Sequence, residues 1–190
     1  YTLSLHDALP ISQEISDKLR FLIKTVGSGL APFDSWLILR GIKTLPIRME
    51  KAQENAQAIV EFLLQEKKVT KVYYPGIEGT KVYEICKKQA SGFGSMLTFE
   101  VESKELALHI LKSTKLIPFA ESLGGVETLL TYPTTQTHAD VPEEVRIRNG
   151  ITDRVLRLSV GIEDKADLIA DLRQAIDSYG ICNIYPKGRI

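Results

Sequence analysis

The alternation of hydrophobic and polar residues divides the chain into helical and extended stretches. Over residues 13–26 the apolar positions recur every three to four residues, which predicts an amphipathic helix. A longer helical pattern begins at Asp34 or Ser35, either of which can cap it, and continues to about Gln65. Pro46 predicts a kink or an interruption within that pattern, because a mid-helix proline removes a hydrogen bond and collides with the preceding turn.

Beyond residue 66 the spacing of the hydrophobic residues alternates between that of a strand and that of a helix. Strands are expected at residues 69–74, 96–101, 116–120 and 155–160. Helices are expected at 80–89 and 104–113, from Pro142 onward, and up to Ile176 with Asp164 as the cap. Such a pattern is typical of an α+β domain, here with about four mainly antiparallel strands and helices packed on one face.

Composition narrows the class of protein without identifying it. The 190 residues are 44% hydrophobic and 25% charged, which suits one well-packed core. Lys+Arg and Asp+Glu balance at 24 each, so no nucleic-acid partner and no acidic membrane surface is expected. The apolar runs are too short to span a bilayer. Cys86 and Cys182 are expected to be free thiols in a reducing cytoplasm, and three scattered histidines do not predict a metal site.

Both ends of the chain need separate treatment. Residues 1–12 read like one frame of a widely used short-read sequencing adapter, so we expect that they are not native. They also lack the basic start and continuous apolar core of a signal peptide. The tail, 178–190, has weak periodicity and is either a natural extension or a second artefact.

Two segments contain the candidate chemistry. In residues 120–127 an acid and a hydroxyl, Glu121 and Ser122, precede a glycine pair that lets backbone approach a ligand closely. In residues 155–163 Arg157 interrupts a hydrophobic strand pattern, and its planar guanidinium can donate two parallel hydrogen bonds to a carboxylate. From the residues alone the arginine could equally form an internal ion pair, with Glu163 or Asp153, and the glycine pair could be a simple turn.

Together with other blocks in the same order, these segments resemble the pyridoxal-phosphate (PLP) enzymes of cysteine and methionine metabolism, the cystathionine γ-synthase, γ-lyase and methionine γ-lyase family. The resemblance covers about residues 16–177. It implies the small C-terminal domain of a fold-type I PLP enzyme, preceded by a long linker helix. The other matching blocks are residues 32–37, 39–45, 48–49, 74–76, 91–94, 137–138 and 167–168.

The resemblance also implies roles for individual residues. Arg157 matches the arginine that relatives use for the substrate's α-carboxylate, and Ser122, Glu121 and Thr137 match further substrate-binding positions. Relatives bind pyridoxal 5'-phosphate on the lysine of a Ser-x-Thr-Lys-Tyr segment, upstream of the matched region. Ser113-Thr114-Lys115 is out of register with it. The chain therefore looks like the C-terminal half of a longer enzyme, without catalytic or cofactor-binding residues of its own.

The implied parent performs γ-replacement on O-acylhomoserine, in the manner of a cystathionine γ-synthase or O-acetylhomoserine thiolase. Glutamate at position 121 occurs in related γ-synthases and γ-lyases, so γ-elimination of cystathionine is the alternative. A third hypothesis is an inert assembly module. The parent is expected to be a cytoplasmic homotetramer that binds an amino-acid substrate, with a helical arm and inter-domain helix at residues 13–66 and a substrate-binding domain at 67–177.

Overall fold

The computed structural model describes residues 12–180 and divides the chain into two compact units. One unit ends at Leu45 and the other begins at Pro46. The interpretations of residues 1–11 and 181–190 lie outside the described residues. Within residues 12–180 no helix is long and apolar enough to cross a membrane. The same residues contain no group of three or more His, Cys, Asp and Glu side chains that could hold a metal ion.

The first unit contains two helices, α1 (Gln13–Val26) and α2 (Pro32–Ile42). Helix α1 has the predicted bounds, and it ends at Gly27, whose φ of 74° lies in the left-handed region that glycine tolerates. Helix α2 begins at Pro32, ahead of the residues expected to cap it. Proline suits the first helical position because the backbone N–H that it lacks would have no partner there.

Of the kink or interruption expected near Pro46, the structure shows an interruption. Helix α2 ends at Ile42, and a separate helix, α3, spans Leu45–Gln65. The break lies at residues 43–44, because a helix that continued through residue 46 would need the backbone N–H that proline lacks. Proline is then accommodated in the first turn of α3.

The second unit contains four strands: β1 (Val69–Tyr73), β2 (Met96–Val101), β3 (Leu129–Thr131) and β4 (Val155–Ser159). They form one antiparallel sheet in the order β1-β2-β4-β3. This confirms the predicted α+β class and strand number. The helices that follow α3 are α4 (Lys81–Gln89), α5 (Lys104–Ser113), α6 (Glu143–Arg148) and α7 (Lys165–Asp177). Asp164 caps α7 as predicted, with its carboxylate accepting the Ala166 N–H at 2.7 Å.

The strand predicted at residues 116–120 is wrong, and the third strand lies at 129–131 instead. The backbone N–H groups of Lys115, Leu116 and Ile117 donate to the carboxylate of Asp171 on α7, at 2.8–3.1 Å. Those donors are therefore not available to a neighbouring strand. Residues 118–120 run beside β3 through a single parallel bridge between Phe119 and Leu130.

Helices α3, α5 and α7 cover one face of the sheet, here called the inner face. Along β2 the buried positions alternate, with Leu97, Phe99 and Val101 at 0–2% exposure. In β4 Leu156 and Leu158 are likewise fully buried. Side chains from the three helices complete the same apolar cluster: Ile59, Leu63, Leu106, Ile110, Leu168 and Leu172. The residues between these strand positions therefore point to the opposite, outer face.

Candidate active-site wall

Arg157 lies in the middle of β4 on the outer face of the sheet. Its neighbours in the strand, Leu156 and Leu158, are both buried in the core. Strand register sets Thr98 of β2 on one side of it and Thr131 of β3 on the other. The arginine is half-buried, so its guanidinium reaches the surface from a rigid sheet position.

The guanidinium of Arg157 has no ion-pair partner among residues 12–180. The interpretation as an internal ion pair with Glu163 or Asp153 is wrong, because both carboxylates are engaged elsewhere. Glu163 accepts hydrogen bonds from the backbone N–H and the hydroxyl of Thr128, at 2.5 and 2.7 Å. Asp153 pairs with Lys104 at 3.8 Å. Arg157 is therefore left with donors for an external anion.

The loop of residues 121–127, which contains Glu121 and Ser122, is attached to this same part of the outer face. At its start the hydroxyl of Thr131, the register partner of Arg157, donates to the Ala120 carbonyl at 3.1 Å. Further on the Gly124 N–H donates to the Ser159 hydroxyl at 2.9 Å, two residues along β4 from Arg157. Gly124 has φ of 76°, which makes the loop turn. Glu121 and Ser122 lie between the two attachment points, both exposed.

A buried hydrogen-bond network, not anticipated from the sequence, fixes the end of this loop. Asn55, fully buried on α3, donates to the carbonyls of Gly161 and Glu163 at 3.0 and 2.8 Å. The Thr128 hydroxyl accepts from the Gly161 N–H at 2.9 Å while it donates to Glu163. One available signal was an asparagine among the apolar positions of α3, since buried amides need partners.

Gly161 permits the closest approach in the network. A Cβ added there would overlap the Val126 carbonyl oxygen and lie 2.6 Å from the Glu127 carbonyl carbon. The next residue, Ile162, donates its N–H to the same Val126 carbonyl at 2.8 Å. Glycine is needed here because of space, and the contact holds the 121–127 loop against the end of β4.

Thr137 lies on a second loop, after β3. Its hydroxyl hydrogen-bonds Nδ1 of His138 at 2.8 Å, and the side chain of Thr137 is exposed. The loop is closed by the His138 N–H, which donates to the Pro133 carbonyl at 2.9 Å, and by the Gln136 side chain, which accepts the Tyr132 N–H at 2.9 Å. His138 is half-buried and lines the pocket described below, so Thr137 is the sequence neighbour of a pocket residue.

The pocket on the outer face has a volume of about 510 Å³ and brings several basic side chains together. Arg157 and His138 line it, whereas Glu121, Ser122 and Thr137 lie outside its lining. No carboxylate belongs to the lining, which favours an anionic ligand. The complete lining is Lys71, Tyr73, Thr98, Pro133, His138, Arg148, Asn149, Gly150, Ile151, Val155 and Arg157.

The lysines near the site do not fit the covalent attachment of a cofactor. Lys71 lines the pocket with its Nζ 4.6 Å from the centre of the Tyr73 ring. Its hydrogen bond to Tyr73 raises the pKa of Lys71, which keeps the amine protonated and not nucleophilic. In Ser113-Thr114-Lys115, the backbone N–H of Lys115 donates to the Asp171 carboxylate, which gives this segment a structural role. Neither Lys71 nor Lys115 is therefore suited to the covalent attachment of a cofactor.

Comparison with curated proteins finds relatives with three different activities. The chain is 45% identical to cystathionine β-lyase of Lactococcus lactis subsp. cremoris, over 87% of this chain and 44% of that protein. It is 48% identical to cystathionine γ-lyase of Dictyostelium discoideum (87% and 43%) and 48% identical to cystathionine γ-synthase of Haemophilus influenzae (86% and 40%). The chain thus spans less than half the length of these relatives.

Solved structures similar to this chain belong to enzymes with two of the same activities. Cystathionine γ-lyase from Lactobacillus plantarum, in complex with L-serine, superposes with a TM-score of 0.80 at 40% identity, over 88% of this chain and 44% of that one. Cystathionine γ-synthase from Xanthomonas oryzae pv. oryzae, in complex with cystathionine, gives 0.79 at 39% identity (87% and 43%). A family profile described as "Cys/Met metabolism PLP-dependent enzyme" matches residues 9–177. The chain therefore belongs to this family of PLP-dependent enzymes.

Proposed function

We propose that the longer protein to which this chain corresponds performs γ-replacement on an O-acylhomoserine, with this chain forming the wall that holds the amino acid. The observation that supports the proposal most directly is the Arg157 guanidinium, which has no ion-pair partner among the described residues and opens into a basic pocket. Members of the family act on amino acids, and each substrate in the proposed reaction presents a carboxylate.

In this proposal Arg157 binds the α-carboxylate through two parallel hydrogen bonds. Because β4 is rigid and the flanking leucines are buried, the bound amino acid would be held in one orientation. Ser122 supplies a hydroxyl beside the reacting end of the substrate. Glu121, an exposed carboxylate on the same loop, suits the ammonium of a second amino acid or assists proton transfer. Thr137 supports the substrate from the His138 loop.

The cofactor, when bound, supplies the electron sink that makes the substrate's Cα and Cβ protons acidic. Neither Lys71 nor Lys115 suits it, and relatives bind it on a lysine upstream of the matched region, so we propose that the 190-residue chain does not catalyse the reaction by itself. Addition of pyridoxal phosphate to this chain should give no lysine-linked absorption band in the visible range. Such a band, together with turnover of an O-acylhomoserine by this chain, would overturn the proposed inactivity.

Elimination from cystathionine is the second candidate, favoured by 48% identity to a γ-lyase, which equals the identity to a γ-synthase. Glutamate at position 121 is compatible with both. The separating experiment supplies the full-length enzyme with O-acetyl- or O-succinylhomoserine plus cysteine, and separately with cystathionine alone. Faster turnover of cystathionine alone would replace γ-replacement with γ-elimination.

The role of Arg157 has its own test. In the full-length enzyme, Arg157→Gln should raise KM for the amino-acid substrate by at least about tenfold, the value of one charge-assisted hydrogen bond. Arg173→Gln removes the same charge from α7, where the guanidinium lies over the Phe62 ring, and serves as the control. Equal effects of the two substitutions would exclude direct binding by Arg157.

The expected cytoplasmic homotetramer is part of the same proposal. An inert assembly module remains the alternative for the isolated chain. Size-exclusion chromatography with light scattering on the full-length enzyme tests the tetramer. Co-purification of the 190-residue chain with a full-length relative would favour the module.

A further inference from the structure

The pocket beside Arg157 contains a second arginine that the proposed function does not use. Arg148 is the last residue of α6, and it lines the same pocket. Its guanidinium forms no ion pair within residues 12–180. The pocket thus presents two arginines without internal carboxylate partners.

The backbone after α6 explains why Arg148 meets the sheet. Asn149 and Gly150 end the helix, and Gly150 has φ of 76°. The Ile151 N–H returns to the Arg146 carbonyl at 2.9 Å, and the Gly150 N–H to Ile147 at 2.9 Å, which is the pattern of a Schellman turn. This turn brings residues 148–151 into the pocket lining together with Val155 and Arg157 of β4.

The charge near the pocket is also unbalanced. Glu100, which pairs with Val155 in the sheet, is the carboxylate nearest in register to Lys71. Its side chain is already engaged, with Arg154 at 2.6 Å and the Thr152 hydroxyl at 3.3 Å. Lys71 adds a third cation to the lining. A ligand with one carboxylate would leave Arg148 without a counter-charge.

We propose that the pocket is a two-ended site for a dicarboxylic amino acid, in which Arg157 binds the α-carboxylate and Arg148 binds a second carboxylate at the far end of the side chain. A volume of about 510 Å³ lies within the ordinary range for small-molecule sites. The inference rests on the proposed role of Arg157 and adds a residue that selects among its substrates. Lys71 adds positive charge to the lining, while Arg148 provides a planar guanidinium that can donate two parallel hydrogen bonds.

The experiment uses the 190-residue chain and two amino acids of equal chain length. L-2-aminoadipate has a distal carboxylate, and L-norleucine does not. Their dissociation constants are measured by ligand-observed NMR at low ionic strength. Aminoadipate should bind about fivefold more tightly, the gain expected from one partly exposed ion pair.

Substitutions separate this inference from the proposed function. Arg148→Gln should remove the preference and leave norleucine affinity unchanged, whereas Arg148→Lys should retain part of it as a point charge. Arg157→Gln should weaken both ligands, and the helix-side control Arg173→Gln should change neither. Circular dichroism checks that each variant folds.

Each other result has a defined meaning. If the wild type shows no preference, or Arg148→Gln preserves one, the two-ended site is overturned while the Arg157 proposal stands. If neither ligand binds the wild type, the two-ended site is overturned, and the Arg157 proposal is decided by KM in the full-length enzyme. If Arg157→Gln leaves both affinities unchanged, both proposals fall.

Discussion

The two faces of the sheet differ in what covers them, and the difference separates stability from chemistry. On the inner face Leu156 and Leu158 are fully buried beneath three helices. One residue away, on the outer face, Arg157 has no ion-pair partner in the described part of the chain. Because strand side chains alternate, one five-residue strand serves both purposes. The effect of a substitution on stability should therefore depend more on the face to which the side chain points than on its position along the chain.

The largest effect is expected in the middle of β2. Phe99 is fully buried on the inner face, so Phe99→Ala should lower the free energy of unfolding by about 3–5 kcal/mol. Its neighbour Thr98 faces outward, and Thr98→Ala should cost less than about 1 kcal/mol. Urea titration followed by circular dichroism measures both. Comparable losses would show that the outer face is also covered in solution.

A smaller loss of unfolding free energy should follow from weakening the Asp171 clamp, which is the set of hydrogen bonds from residues 115–117 to the Asp171 carboxylate on α7. Asp171→Asn retains one acceptor oxygen but loses the charge that binds three backbone N–H groups, so we expect a cost of about 1–3 kcal/mol. The exposed Asp177→Asn, on the same helix, is the control. Hydrogen exchange should quicken first at residues 115–117. Unchanged exchange there would contradict the clamp.

The next effect appears only in alkali. Tyr74 is 6% exposed and donates to the Gly94 carbonyl at 2.9 Å. Burial raises the pKa of Tyr74 from its ordinary value of 10.0 to about 12. The neutral form is thus favoured in the folded state, so its stabilisation is complete below pH 10 and is lost as the pH rises towards 12.

Tyr74→Phe removes that titration. The wild type should lose stability between pH 10 and 12 relative to the variant, as measured by urea midpoints across that range. Tyr73→Phe, whose side chain lies on the outer face, is the matched control. Parallel pH profiles for wild type and Tyr74→Phe would contradict the prediction.

The smallest effect on stability should come from the residue most important to the proposed chemistry. Arg157→Gln breaks no internal ion pair, so the free energy of unfolding should change by less than about 0.5 kcal/mol. The same urea titration measures it. A loss comparable with that of Phe99→Ala would assign Arg157 to the core.

Sequence periodicity predicted the elements that local interactions determine. Helix α7 follows its Asp164 cap, and β2 follows its alternating apolar residues, so both were predicted nearly to the residue. The strand expected at 116–120 failed because Asp171, more than fifty residues later in the chain, binds the N–H groups that a strand would need. Such a partner leaves no mark on local pattern. Strand β3 has only three residues, too few to show a period.

The candidate site was predicted only in part, again because some of its contacts join residues that are far apart in the sequence. The strand pattern around Arg157 left open whether its guanidinium pairs internally or binds a ligand, and the glycine pair indicated a turn or a site nearby. The sequence did not reveal that Asn55, more than a hundred residues away, binds the 161–163 segment. It also did not reveal that Arg148 lines the pocket with Arg157, because that depends on the turn at Gly150.

The tight packing at Gly161 limits how this region can change. Even one methyl group would push the end of β4 away from residues 126–127, which close the loop that contains Glu121 and Ser122. New specificity is therefore more accessible through the exposed side chains of the loop than through its backbone path. A randomised library at position 161 should return glycine alone, whereas one at position 121 should return functional diversity.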